Sequence, residues 1–189
     1  HRAYGGGVLM DWIGHHNDIA HWALGVDRGG PNKVEAVDWT FTETPIYNTP
    51  HHYEIRSEYD DGSVISISTR NRAGVTFKGE RGNVFVNRGK LETSDESWKS
   101  RSFLPGLKRV KESNDHVKDF LDCVKSRKEC IAPAEVAHRS ITPGHLGYVS
   151  WQLKRPLLWD AVNERVKDDI EADELLKLNP YRVPWSLSL

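Results

Sequence analysis

Long apolar runs are missing from this chain: none approaches the ~20 residues that a membrane-crossing helix needs. Cysteine is scarce, with Cys123 and Cys130 the only two among 189 residues. On one straight helix their spacing places them ~10 Å apart, too far for a disulfide, and no metal-type pair of cysteines exists. An excess of either charge is also missing. Lys and Arg number 26 against 27 Asp and Glu, a net charge of −1, so nucleic-acid binding has no electrostatic footprint. No G-x-S-x-G elbow supports a hydrolase. No G-x-G-x-x-G follows a strand, so the chain shows no dinucleotide-binding unit. Internal repeats and low-complexity tracts are absent too. The chain begins at His1 without Met or a signal-peptide pattern, so it is expected to be a fragment, a processed chain or a trimmed one. The sequence does not choose between a cytoplasmic and an exported soluble protein.

What is present describes an ordinary globular domain, 28% charged and 38% hydrophobic. It is long enough for one sizeable core. Seven tryptophans are many for this length; packing in the core and at interfaces is the plainer use for them, with ring-shaped ligands the other. Lys33 to Thr42 alternates and is rich in Val, Trp, Thr and Phe, as a strand does. His52 to Tyr59 and Ser63 to Arg70 read as strands joined by the turn Asp60-Asp61-Gly62. Gly74 to Lys78, Asn83 to Asn87 and Lys90 to Thr93 continue the pattern, which implies an antiparallel sheet of five or six strands. Arg70, Arg72, Arg81 and Arg88 cluster here and read as exposed sheet charges. Asn114 to Lys125 is a helix with Val117, Phe120, Leu121 and Val124 on one face. Pro133 to Leu153 is helical in pattern, but Pro143, Gly144 and Gly147 predict a kink or a break. Leu157 to Val162 reads as a further strand, Ile170 to Leu178 as a short helix, and residues 179–189 as an extended tail with two prolines. Helix, then strands, then helices makes an α+β domain over 1–189, an open, mainly antiparallel sheet with helices on one face.

The most informative stretch is Gly5 to Gly25, GGGVLMDWIGHHNDIAHWALG. Its apolar residues recur at helical spacing, and Leu24-Gly25 is a helix stop. With Asp11 at zero and ~100° per residue, His15 falls at ~40°, Asp18 at ~−20° and Trp22 at ~20°. Ile19, Trp12, Ala23, His16, Ala20, Ile13 and Leu24 fill the arc from ~80° to ~220°, the expected packed face. An imidazole flanked by carboxylates one turn away on either side suits proton transfer, and the carboxylates can orient it. The polar edge of an ordinary amphipathic helix has the same spacing. Gly14 inside the helix suggests close approach by another group, and Gly5, Gly6 and Gly7 suggest a ligand contact or a left-handed turn. His15, His16, Asp18 and His21 are dispersed around the helix, so no metal site is expected.

This stretch resembles the second-domain motif of the Gfo/Idh/MocA (glucose-fructose oxidoreductase / inositol dehydrogenase) family: a glycine run, Asp, three residues, His, two residues, Asp, then Trp-x-Leu-Gly. Asp11, His15, Asp18 and Trp22 match in register. The similarity continues through YEIRSEYDDGSV, FKGERGNVFVNRGKLE, HVKDFLDCVKSRKE, AEVAHRSITPGHLGYVSWQL and YRVPW. It implies a two-domain NAD- or NADP-dependent enzyme in which an N-terminal Rossmann domain, absent here along with its Glu-Lys-Pro lysine, binds the cofactor. The resemblance makes His15 the acid/base for a hydroxyl undergoing oxidation, Asp11 its partner and Asp18 a substrate ligand. The implied substrate is a carbohydrate or polyol, and the implied assembly a homo-oligomer through the open sheet face. A non-catalytic interaction module derived from that domain is the alternative.

Overall fold

The computed structural model describes the chain except residues 3, 45, 101, 103–110, 178–182 and 186–189. The extended tail expected at 179–189 therefore falls almost wholly outside the described residues. Helix α1 runs Gly7–Leu24. Strands β1 (Lys33–Phe41), β2 (Pro50–Glu58) and β3 (Val64–Ser68) follow, then β4 (Val75–Gly79), β5 (Gly82–Asn87) and β6 (Lys90–Thr93). A 3-10 turn at Glu96–Lys99 precedes α2 (His116–Ser126) and α3 (Ala134–Leu153); β7 (Leu157–Asp160), β8 (Arg165–Val166) and α4 (Ile170–Leu176) complete the order.

The strands form two sheets where the sequence suggested one. Five strands lie in the order β3-β2-β1-β7-β8, and three in the order β4-β5-β6. Every described pair is antiparallel. Helices α1 and α3 cover one face of the larger sheet. The core lies there, built by Leu9 and Ile13 of α1, Val34 of β1, Tyr53 and Ile55 of β2, Leu146 and Val149 of α3, and Leu157 of β7. Each such aliphatic side chain contributes about 1.5–3 kcal/mol by leaving water.

Strand β1 does not alternate cleanly. Ala36 pairs with Ile55 and Asp38 with Glu54, so Val37 is an extra residue without a partner. This bulge reverses the parity of the strand. Val34 and Ala36 face the helices before it, and Trp39 does so after it. Ser150 of α3 repairs the ladder, its Oγ accepting the Ala36 N–H at 3.0 Å. Trp39 lies 4.7 Å from the Tyr148 ring, and Phe41 4.7 Å from Trp151. The open face holds Val37 among charges: Lys33 with Glu58 at 3.2 Å, Arg56 with Glu58 at 3.5 Å, and Arg70 with Asp38 at 2.5 Å.

The break expected at Pro143 does not occur, and α3 is one helix of 20 residues. Its buried flank explains this, since tertiary packing outweighs local propensity. A Cβ on Gly144 would sit 2.6 Å from Met10 Sδ, and one on Gly147 2.4 Å from Ile55 Cδ1. The close approach that sequence placed at Gly14 is thus made at the glycines of α3. A Cβ on Gly14 would meet only Ile141 Cγ2, at an ordinary 3.6 Å. No described helix is long and apolar enough to cross a membrane.

Candidate active site

Helix α1 starts where Gly7 takes φ +65°, which favours glycine, with Thr49 packed against its Cα. It stops where Gly25 takes φ +69° and closes on the carbonyls of His21 and Trp22. Between these limits the helix has three surfaces. One packs on α3, one borders a groove toward β3 and β4, and a ridge between them faces solvent.

The ridge carries Asp11 and His15, both exposed. No hydrogen bond joins either of them to another described side chain; His15 meets the edge of the Trp12 ring at 5.9 Å between centroids. Asp18 is half-buried and turned toward α3, where it accepts from Ser140 Oγ at 2.7 Å. The structure thus keeps the predicted stripe along one helix and anchors its third member on the neighbouring helix. Trp22, the fourth residue of the stripe, is also exposed.

The packed arc lies elsewhere than the periodicity suggested. The buried residues of α1 are Leu9, Ile13, Asn17, Ala20 and His21. Trp12 and Ala23, expected inside, are exposed, and His16 is half-buried. The arc is rotated by roughly 60° toward Asn17 and His21. The rotation follows from packing: Gly144 admits Met10 and Ile13, and Asn17 Nδ2 donates to the Ser140 carbonyl at 2.8 Å.

His21 is a polar residue that sequence reasoning missed. It is fully buried, with Nε2 2.8 Å from Tyr59 Oη and 3.1 Å from Asn17 Nδ2. The Asn17 amide is oriented by its bond to Ser140, so it donates to Nε2. The proton of the neutral ring then sits on Nδ1. Burial pushes His21 down to about 4, Asp27 opposing weakly, and pushes the Tyr59 hydroxyl up. The pair is a neutral strut between α1 and the sheet. Its signal in sequence was the i, i+4 spacing of Asn17 and His21 beside Leu9, Ile13 and Ala20.

The groove flank of α1 presents Trp12 and His16 across a space of about 1070 Å³ from Ile65, Ile67, Val75 and Phe77. The β5–β6 hairpin turns at Arg88-Gly89 and brings Arg88 back to this flank, its Cζ 5.2 Å from the Trp12 ring centroid. Burial first, then the charges of Arg88 and His15, lower the pKa of His16. The other arginines of the sheets do not share this position. Arg70 pairs with Asp38, and Arg72 lies over Phe85 and binds Glu92, whose carboxyl Arg72 and then Lys90 hold down to about 2.

Among the described residues no three His, Cys, Asp or Glu side chains are grouped to hold a metal ion. His138 lies 3.2 Å from Glu164. Nor do the described residues fit a dinucleotide. Its pyrophosphate is cradled where a parallel strand turns through glycines into a helix, and here every described strand pair is antiparallel and no described strand runs into α1.

Residues 1–187 match the Gfo/Idh/MocA model described as "Oxidoreductase family, C-terminal alpha/beta domain". No curated protein matches. Among solved structures, a "probable dehydrogenase from Thermotoga maritima" aligns with TM-score 0.47 and 16% identity, covering 82% of this chain and 50% of its own. A "putative oxidoreductase from Thermotoga maritima" aligns with TM-score 0.44 and 11% identity, covering 75% and 44%. The chain therefore spans half or less of the length of these structures.

Proposed function

The chain belongs to the Gfo/Idh/MocA oxidoreductase family as its C-terminal α/β domain, and we propose that it binds a sugar, polyol or sugar derivative whose secondary hydroxyl is oxidised, with His15 as the acid/base. The observation that carries this is the place of His15. It stands on the exposed ridge of α1, one turn from Asp11 and one from Asp18, with no described hydrogen bond occupying its ring. A general base must reach solvent and substrate while its backbone is held rigidly. The packing of α1 on α3 supplies the rigidity.

In this scheme Asp11 accepts from a substrate hydroxyl or orients the imidazole. Asp18, fixed by Ser140, takes a neighbouring hydroxyl with its free lone pairs. Oxidation releases the hydroxyl proton to His15, while the hydride must pass to an acceptor that the residues described here do not hold. The family is generally NAD(P)-dependent, and NAD or NADP bound mainly by residues outside this chain is the acceptor proposed. The open face of the five-stranded sheet is proposed to join copies of the protein.

The test is steady-state kinetics on the full-length protein. His15→Ala should lower turnover ~10²–10⁴-fold, the usual worth of general acid/base catalysis, with the melting temperature unchanged because the side chain is exposed. Near-normal turnover in that variant would remove His15 from the chemistry.

A further inference from the structure

Arg88 stands apart from the other arginines of the sheets. It occupies a two-residue turn closed by the Asn87–Lys90 pair, and its own N–H is held by Asn87 Oδ1 at 2.8 Å. The turn is therefore a defined platform and not a loose loop. From it the guanidinium reaches the face of Trp12, while Arg70 and Arg72 spend their charge on Asp38 and Glu92. No carboxylate of the described residues pairs with Arg88.

Arg88 and His16 both lie against the Trp12 ring, and the groove beyond them has Lys78 and the ion-paired Arg70 and Arg72 on its walls with no Asp or Glu among its lining residues. Hydroxyl and amide side chains are present there in Ser66, Ser68, Asn71 and Thr76. A guanidinium stacked on an aromatic face keeps its N–H edge free for a planar anion. Carboxylate is the group that this edge engages with two parallel hydrogen bonds.

We propose that Arg88, with His16 beside it on the Trp12 indole, binds the carboxylate of the substrate, so that the substrate is a sugar acid and not a neutral sugar or polyol. The proposal rests on the carbohydrate assignment made above and narrows it. One indole separates the two functional ends. Arg88 Cζ lies 5.2 Å from the Trp12 ring centroid, and the His15 ring centroid 5.9 Å from it. Both groups thus flank the same indole. A sugar acid resting against that ring would set its carboxylate at Arg88 and turn a carbinol toward His15. A neutral His16 can also donate one hydrogen bond to the anion or to the hydroxyl next to it. Arg88 acts as a specificity determinant, because losing it leaves the ridge of α1 untouched.

The experiment is titration calorimetry of the 189-residue chain with D-glucuronate and with D-glucose. Arg88→Gln and Arg88→Lys are compared with Arg81→Gln, which removes the same charge from the turn between β4 and β5. The expected result is at least tenfold tighter binding of glucuronate than of glucose, the usual margin of a charge-assisted hydrogen bond. Arg88→Gln should abolish that margin, Arg88→Lys should retain part of it, and Arg81→Gln should keep it whole. In the wild type, glucuronate should raise the pH at which the His16 ring titrates by NMR, and it should not do so in Arg88→Gln. Equal binding of the two sugars, or a preference that survives Arg88→Gln, overturns the carboxylate site and leaves the carbohydrate assignment standing. Failure of both sugars to bind at millimolar concentration overturns the two together.

Discussion

The Tyr59 hydroxyl lies 2.8 Å from His21 Nε2 and ties the first helix to the end of the second strand through a buried neutral pair. Two groups that titrate elsewhere in proteins are here held uncharged by burial. The consequence is a pH dependence of folding with a defined sign.

His21 titrates near 6.5 in an unfolded chain and at about 4 in the fold. Its stabilising contribution is complete above 6.5 and declines as pH falls toward 4, because only the unfolded chain takes up the proton in that window. The loss amounts to roughly 3 kcal/mol across the whole window. Urea unfolding at pH 7 and pH 5 should show the chain weaker at the lower pH, and His21→Gln should flatten the difference. An unchanged slope in that variant would assign the effect to other groups.

The glycines of the two packed helices should respond in opposite directions. Gly14→Ala meets only Ile141 at van der Waals distance, so it should stabilise the protein by up to about 1 kcal/mol through helix propensity. Gly147→Ala drives a methyl group into Ile55 and should cost about 1–3 kcal/mol. Thermal melts of the two variants decide the matter; the same sign for both would contradict the packing described.

Residues 1 to 189 should not bind NAD(H) or NADP(H) tightly, since the described residues offer no glycine-lined phosphate cradle on a parallel strand. Calorimetry is the direct check. Micromolar binding by this chain would mean that the cofactor is held by a different geometry.

Self-association through the sheet should be sensitive to salt. The open face carries Lys33, Arg56, Glu58, Asp38 and Arg70 in exposed or half-exposed ion pairs. An interface built on such groups is screened as ionic strength rises. Sedimentation velocity should show a larger species at 20 mM salt than at 500 mM. A clean monomer at both, at high protein concentration, removes this face as an interface.

Much of this was legible in the chain. The ends of α1 follow from Gly7 and Gly25, and the start of α2 from Asp115, whose side chain accepts the Lys118 N–H at 2.9 Å. The hairpins follow from their turn residues. Their division into two sheets does not, because a turn fixes only the strands beside it. The polar ridge Asp11–His15 was legible because exposed polar residues follow helical spacing whatever the neighbours are. The buried face was harder. Trp12 and Ala23 are apolar and drew the expected arc toward the groove, while Asn17 and His21 are polar and were placed outside it. Only the partner helix, with a carbonyl at Ser140 and a hydroxyl at Tyr59, makes them interior residues. Arg88 was hidden for the same reason: its role depends on a hairpin folding back onto a helix more than 70 positions earlier.

The extra residue at Val37 works as a reading-frame marker for the first strand. Every side chain before it is assigned to a face by one count, and every side chain after it by the other. Substitutions along β1 change one position at a time, whereas removing Val37 reassigns all that follow. Trp39 and Phe41 would then turn outward, and Asp38 and Thr40 would turn toward α3. A chain shorter by this single exposed valine would keep almost the same composition and lose the aromatic contacts that seat α3 on the sheet. Length is therefore guarded more strictly than identity at this point of the strand.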